Sequence, residues 1–206
     1  MGDERYHQQL REEKRLAVVD AAMALFLDQG YERTSLAQIA KRAAVSTATL
    51  FKRYPTKAAL LEAIVERFWA HETAGAAVTG QGTPRAMLRA FGLDYGRRMR
   101  RPEIQALYRL IIAETPRFPD LGRLLFDKGK GAFLADFKAY LASADAAGEL
   151  SVDDAETAAL QFLGLVSARG FWPELLGPGC GGDEAALEAI VDDAVAMMLA
   201  RYAVKA

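Results

Sequence analysis

Cysteine and histidine are almost missing from this 206-residue chain: Cys180 is the one cysteine, and His7 and His71 are the two histidines. A single cysteine excludes an intrachain disulfide and suits a reducing compartment. The two histidines stand far apart with no companion ligands, which is not the spacing of a zinc site. No apolar run approaches the roughly 20 residues that cross a bilayer. Residues Met1 to Arg15 are polar and charged and lack the apolar core of a signal peptide. No stretch alternates apolar and polar residues between hairpin signals, so no strand is expected. A nucleophile–base pair and a cluster of metal ligands are also lacking. The Gly177–Gly182 loop has neither the preceding strand nor the Lys-Ser/Thr of a phosphate-binding loop, and nothing around Cys180 suggests a lowered thiol pKa. The absences together point to a soluble cytoplasmic protein that is not an enzyme, takes no cofactor or metal, and has no membrane partner.

What is present is a strong helical pattern and an uneven distribution of charge. Apolar residues make up 51%, enough for a globular core. The net charge of −1 hides a division. Residues 1–57 carry ten Lys/Arg and seven Asp/Glu, or +3, and residues 58–206 carry sixteen and twenty, or −4. The bias is sharpest from Arg33 to Leu61, where six basic residues (Arg33, Lys41, Arg42, Lys52, Arg53, Lys57) meet no acidic one. A cationic front on an acidic body confines affinity for a polyanion to one end.

Val18, Val19, Ala22, Met23 and Phe26 recur at helical spacing, and Gly30 stops that helix. Ser35-Leu36-Ala37-Gln38 has the pattern of a capping box, and Ser46 is the next N-cap candidate. The third helix runs from Thr47 to about Tyr54, where Pro55 ends it. A fourth begins at Lys57 behind Thr56 and runs to about Ala77, followed by a loop over Val78–Thr83. Pro84 and Pro102 open the fifth and sixth helices. The seventh covers about Asp120–Ala147, with Gly129 and Gly131 weakening its middle. The eighth, about Val152–Leu176, is capped by Ser151 and is apolar nearly all round, so it needs cover on two sides; a second copy of the chain is the expected cover. Asp183 caps the last helix. The expected fold is all-α: a three-helix head, residues 1–56, and a six-helix body, residues 57–206.

Two short helices joined by the turn Ala44-Val45-Ser46-Thr47 form a helix-turn-helix candidate. Ala40, Ala43 and Ala44 allow a close crossing, and Val45 plugs the corner. Thr47, Ala48 and Thr49 are short enough to bring backbone and hydroxyls near base edges in a major groove. Lys52, Arg53 and Lys57 can meet phosphates, and the helix starts at Ser35 and Lys57 offer backbone N–H groups to phosphate oxygens.

The run Gly30-Tyr31-x-x-Thr34-Ser35-Leu36-x-x-Ile39-Ala40, then Ala43-Ala44-Val45-Ser46, then Thr49-Leu50-Phe51-x-x-Tyr54-Pro55-Thr56-Lys57, resembles the N-terminal signature of TetR-family transcriptional regulators. The resemblance implies a homodimer with a DNA-binding head and a ligand-binding body. It implies that Thr34 or Ser35 contacts phosphate, that Thr47 and Ala48 lie in the major groove, and that Lys57 matches the family's Lys at the start of the fourth helix. Phe51 stands where the family usually has a phosphate-contacting Tyr. Ala44 replaces the usual turn Gly and Ala48 a frequent Gly, substitutions expected to fit at negative φ. Pro102-Glu103-x-x-Ala106-Leu107-Tyr108-Arg109-Leu110-Ile111-Ile112-Ala113-Glu114 and Arg117-Phe118-Pro119-Asp120-Leu121 resemble the C-terminal domain of AefR-like members, which implies a dimer built from the last two helices.

The expected function is a repressor released from its double-stranded DNA operator by a small apolar or aromatic effector. Phe91, Tyr95, Tyr108, Ile112, Phe126, Phe162, Arg169 and Trp172 are the candidate pocket residues, though most aromatics taken singly read as plain core. Two rivals are an enzyme with a pocket in the helical body and a DNA-binding protein whose body only dimerises.

Overall fold

A computed structural model describes residues 2–69 and 82–204. The end of the expected fourth helix up to Ala77, most of the loop after it, and His71 lie outside the described residues. Among them the chain is helical: α1 (Gly2–Gln29), α2 (Leu36–Arg42), α3 (Thr47–Arg53), α4 (Lys57–Trp69), α5 (Pro84–Met99), α6 (Pro102–Glu114), α7 (Asp120–Leu124), α8 (Gly131–Ala146), α9 (Ala155–Gly170), α10 (Trp172–Leu176) and α11 (Glu184–Tyr202). No named strand occurs among the described residues, where Leu150 and Ala203 form an isolated antiparallel bridge.

Side chains at the helix starts explain most of the boundaries. The capping box at Ser35 is complete: Ser35 Oγ accepts from the Gln38 N–H at 3.2 Å, and Gln38 Oε1 accepts from the Ser35 N–H at 2.7 Å. Ser46, Thr56, Thr83 and Asp183 each accept from a backbone N–H three residues on. Ser151 does not cap. The carboxylate of Asp154 accepts from the N–H groups of Glu156 and Thr157 at 3.0 and 3.1 Å, starting α9 at Ala155. The Ser151 N–H donates instead to the Tyr202 carbonyl at 2.7 Å.

Two expected helices divide, so the six of the body become the eight segments α4–α11. Between α7 and α8 the chain widens into a π-helical stretch, Leu125–Lys130, where Gly129 and Gly131 weaken the tighter coil. The helix expected over 152–176 breaks at Phe171. Pro173, at the start of α10, has no N–H to continue the ladder.

The chain clusters into two compact units. The first is Met1–Phe68 with Ala106–Gly129; the second is Trp69–Gln105 with Lys130–Ala206. In the first, Val19, Phe26, Ile39, Leu50, Leu60, Leu61 and Ile64 form a buried core. The Tyr31 ring meets Phe118 edge-on at 5.2 Å, and its N–H donates to Glu114 at 2.9 Å. In the second unit α11 packs on α5 and α9, and α8 on α9. The approach of α5 to α11 needs a glycine: a Cβ on Gly92 would lie 2.7 Å from Val191 Cγ1 and 2.9 Å from Phe162 Cζ.

Candidate nucleic-acid interface

The turn between α2 and α3 is a Schellman closure. The Val45 N–H bonds to the Ala40 carbonyl at 3.0 Å and the Ala44 N–H to the Lys41 carbonyl at 3.3 Å. That geometry requires a left-handed residue, and Ala44 supplies it at φ 53°. The expectation that Ala44 keeps a negative φ therefore fails, because the closure places its C′ residue in the αL region whatever its side chain. Ala48 lies inside α3 and keeps a helical φ.

The caps sort the polar residues of α3. Ser46 and Thr49 are exposed but face each other, their hydroxyls 2.7 Å apart, and Ser46 holds the Thr49 N–H. Thr47, Ala48, Phe51 and Lys52 are exposed on the other side of the helix. The Thr47 hydroxyl has no partner among the described residues, and Phe51, 46% exposed, presents an aromatic ring to solvent. Leu50, behind them, is buried and anchors the helix. Small, polar, aromatic and cationic groups thus share one outward face.

Thr34 and Ser35 separate. Thr34 is 2% exposed, and its hydroxyl lies 2.8 Å from the Gly30 carbonyl, 3.2 Å from the Leu25 carbonyl and 3.1 Å from Gln29 Nε2. Burial keeps it from any phosphate, so of this pair Ser35 is the one at the surface. Lys57 is half-buried. Its ammonium donates to the carbonyls of Tyr31 and Glu32 at 2.7 and 2.9 Å and lies 4.7 Å from the Tyr31 ring centroid. Burial draws its pKa below the ordinary lysine value, opposed by Glu114 and Glu32. Lys57 ties the start of α4 to the α1–α2 connection and keeps one N–H in reserve.

The electrostatics of the motif differ from those of the surrounding helices. Lys41, Arg42, Lys52 and Arg53 are exposed and form no salt bridge among the described residues, though the Arg53 charge acts on Glu12. Elsewhere the cations are widely paired: Arg67 with Asp20, Arg117 with Glu32 and Lys128 with Glu62 in the first unit, and Arg89 with Asp192 and Glu188 in the second. A row of unneutralised cations beside an outward helix face is suited to a phosphate backbone.

The eight candidate pocket residues fall in both units. Phe91, Tyr95 and Phe162 are buried in the second unit with Phe133 and Phe137; Phe91 stands 4.7 Å from Phe137, and Phe137 5.3 Å from Phe162. Tyr108 is half-buried in the first unit, where Ile112 and Phe126 are exposed. Trp172 is exposed against Phe171, and Arg169 lies at the surface 3.5 Å from Asp193. Helical spacing marks apolar faces but does not say which of them point inward. Three buried groups that spacing does not single out are Trp69, Gln105 and Tyr140, each with a side-chain polar atom that finds no hydrogen-bond partner among the described residues.

A model of the tetR family of bacterial regulatory proteins matches residues 18–64, and one for the C-terminal domain of AefR-like transcriptional repressors matches residues 86–204. The chain belongs to the TetR family. TetR-family regulators are generally DNA-binding repressors and typically dimers, and this protein is a TetR-family transcriptional regulator. Among solved TetR-type structures, one from Mesorhizobium loti MAFF303099 superposes with a TM-score of 0.79 at 26% identity, covering 93% of this chain and 97% of that one. The flavonoid-responsive regulator FrrA gives a TM-score of 0.75 at 32% identity, covering 94% and 98%. The chain is also 40% identical over 50 residues to YvkB of Bacillus subtilis strain 168, an uncharacterized HTH-type transcriptional regulator; that match spans 24% of this chain and 26% of YvkB. Among the described residues no helix is long and apolar enough to cross a membrane.

Proposed function

We propose that this TetR-family regulator is a cytoplasmic repressor, acting by binding and without turnover, that releases its operator when a small aromatic effector enters its body. Residues 1–56 would carry DNA binding, and residues 57–206 effector binding and dimerisation. The observation that carries the DNA half is the outward face of α3 fringed by unpaired cations. Thr47 and Ala48 read base edges in the major groove, Phe51 packs on a thymine methyl or a sugar, and Lys52 and Ser35 hold phosphates. Two heads, one per protomer, sit in successive major grooves about 34–36 Å apart or further.

The second copy docks on α9 and α11. Leu160, Gln161, Gly164 and Ala168 of α9 and Met197 and Arg201 of α11 are exposed, and a shallow groove runs between the two helices beside Leu165 and Tyr202. A continuous apolar patch of this kind is more typical of an interface than of a free surface.

For the effector, the aromatic cluster of the second unit and its three unsatisfied polar atoms favour a ligand with ring surface and hydroxyl or carbonyl oxygens. The flavonoid responsiveness of FrrA, similar over nearly the whole chain, points the same way. Both α4 and α6 run from one unit into the other and are suited to pass on a shift in the body. A coupling of about 1–3 kcal/mol would weaken operator binding by roughly 5–150-fold.

The test is fluorescence anisotropy of the full chain with duplex DNA from its own upstream region. Tight, salt-dependent binding with two chains per site is expected, and Thr47→Ala should change sequence preference more than total affinity. A monomer indifferent to that DNA in dilute buffer overturns the proposal.

A further inference from the structure

Outside the reading face, α1 carries a cationic stripe that the helix-turn-helix does not use. Arg11, Lys14, Arg15 and Val18 are spaced i, i+3, i+4 and i+7, so they share one face of the helix. That face forms one wall of a cleft; Val45, Thr49, Leu50, Arg53 and Tyr54, from the turn and α3, form the other. The floor is apolar: Val18, Leu50 and Tyr54 are all buried. The rim is cationic. Arg15 is tied to Glu12 at 2.6 Å, and the Arg53 charge also acts on Glu12, whereas Arg11 and Lys14 are exposed and form no salt bridge among the described residues.

We propose that the α1–α3 cleft is a second DNA contact, holding one sugar–phosphate segment of the operator backbone just outside the groove read by Thr47 and Ala48. The inference rests on the DNA-binding reading and extends it to residues before the matched family domain, which begins at residue 18. Two features select this occupant. An apolar floor under a cationic rim matches the two faces of a deoxyribose–phosphate chain, with the sugar on the floor and the phosphate oxygens at the rim. The cleft also shares a helix with the reading face, since Thr49 and Arg53 line it while Thr47, Phe51 and Lys52 point away on the same α3. A backbone strand flanking the groove would pass from one to the other without leaving the protein.

The test uses the double variant R11A/K14A, whose two side chains are exposed and contribute nothing to the core. With wild-type protein bound to its upstream duplex, the slope of log affinity against log salt should shrink by about 0.9 for each cation lost, so by about 1.8 per head. Hydroxyl-radical protection should disappear at the backbone positions flanking the read groove, with base preference unchanged. An unchanged slope and footprint overturns the proposal while leaving the DNA reading intact, because wild-type binding is seen in the same assay. A wild-type chain that does not bind overturns both. The reverse variant Glu12→Gln frees Arg15, and a steeper slope on its introduction would support the cleft as the place where charge is counted.

Discussion

The two compact units treat their buried polar groups differently. In the first, the buried or half-buried ones are occupied: Thr34 lies within reach of two carbonyls and an amide, Lys57 donates to two carbonyls, and Glu114 accepts the Tyr31 N–H. In the second, Trp69 Nε1, Gln105 Oε1 and the Tyr140 hydroxyl are buried without a partner among the described residues. A buried group without a partner in the protein has given up its bonds to water with no replacement. The first unit is finished as it stands, as a rigid reading device must be. The second keeps buried polar atoms that no described residue satisfies.

The largest effect expected from this contrast is in the first unit. Thr34→Val keeps the shape but strips a hydroxyl from between Gly30, Leu25 and Gln29. It should destabilise the full chain by about 1–2 kcal/mol in urea unfolding, since the groups left behind stay buried. A loss near zero would mean that the hydrogen bonds around Thr34 do not set the α1–α2 connection, and the contrast between the units would fail from that side.

Much of the first unit was legible because local chemistry decides it. The caps at Ser35, Ser46 and Thr56 use side chains within three residues of their targets, so a linear pattern displays them. The stripe Arg11, Lys14, Arg15 gains its meaning from the opposite wall, which α3 supplies and which spacing cannot show. Ser151 and Asp154 were harder to separate, since both can cap and the choice fell to the tertiary bond between Ser151 and Tyr202. Burial in the body was least legible. Ile112, Phe126 and Trp172 share helical periodicity with core residues, and only packing decides that they stay exposed. Lys57 shows what sequence leaves open, because a basic residue at a helix start suits a phosphate and suits two nearby backbone carbonyls equally well.

Ala44 ranks next in expected effect and acts with the opposite sign. Its φ of 53° is one an L-residue enters at a cost and glycine enters freely. Ala44→Gly should therefore stabilise the chain by about 1 kcal/mol, after allowing for the extra freedom glycine has when unfolded. Stability measured by thermal or urea unfolding should rise without change in the salt dependence of DNA binding, because no charge moves. A destabilised Ala44→Gly variant would mean that the turn is held by the Ala44 methyl and not by the Schellman closure. The first unit would then store no strain there.

Tyr140→Phe is the smallest effect and the most direct test of the contrast. The hydroxyl it removes has no partner, so its loss should leave urea stability near neutral pH unchanged or raised slightly, the reverse of Thr34→Val. Burial, with a contribution from Glu149, pushes the Tyr140 phenol up to about 12, so at neutral pH it is a protonated group able to donate. Its raised folded-state pKa means that the folded chain holds a proton the unfolded chain, titrating near 10, has already released. That contribution is fully present below about pH 10 and is lost as pH rises toward 12, so Tyr140→Phe should flatten the alkaline decline in stability. On the proposed reading of an aromatic effector in the body, the same variant should blunt the response to it while sparing DNA affinity in its absence. If it instead weakened the ligand-free fold as much as Thr34→Val does, the hydroxyl would have a structural partner, and the second unit would be as complete as the first.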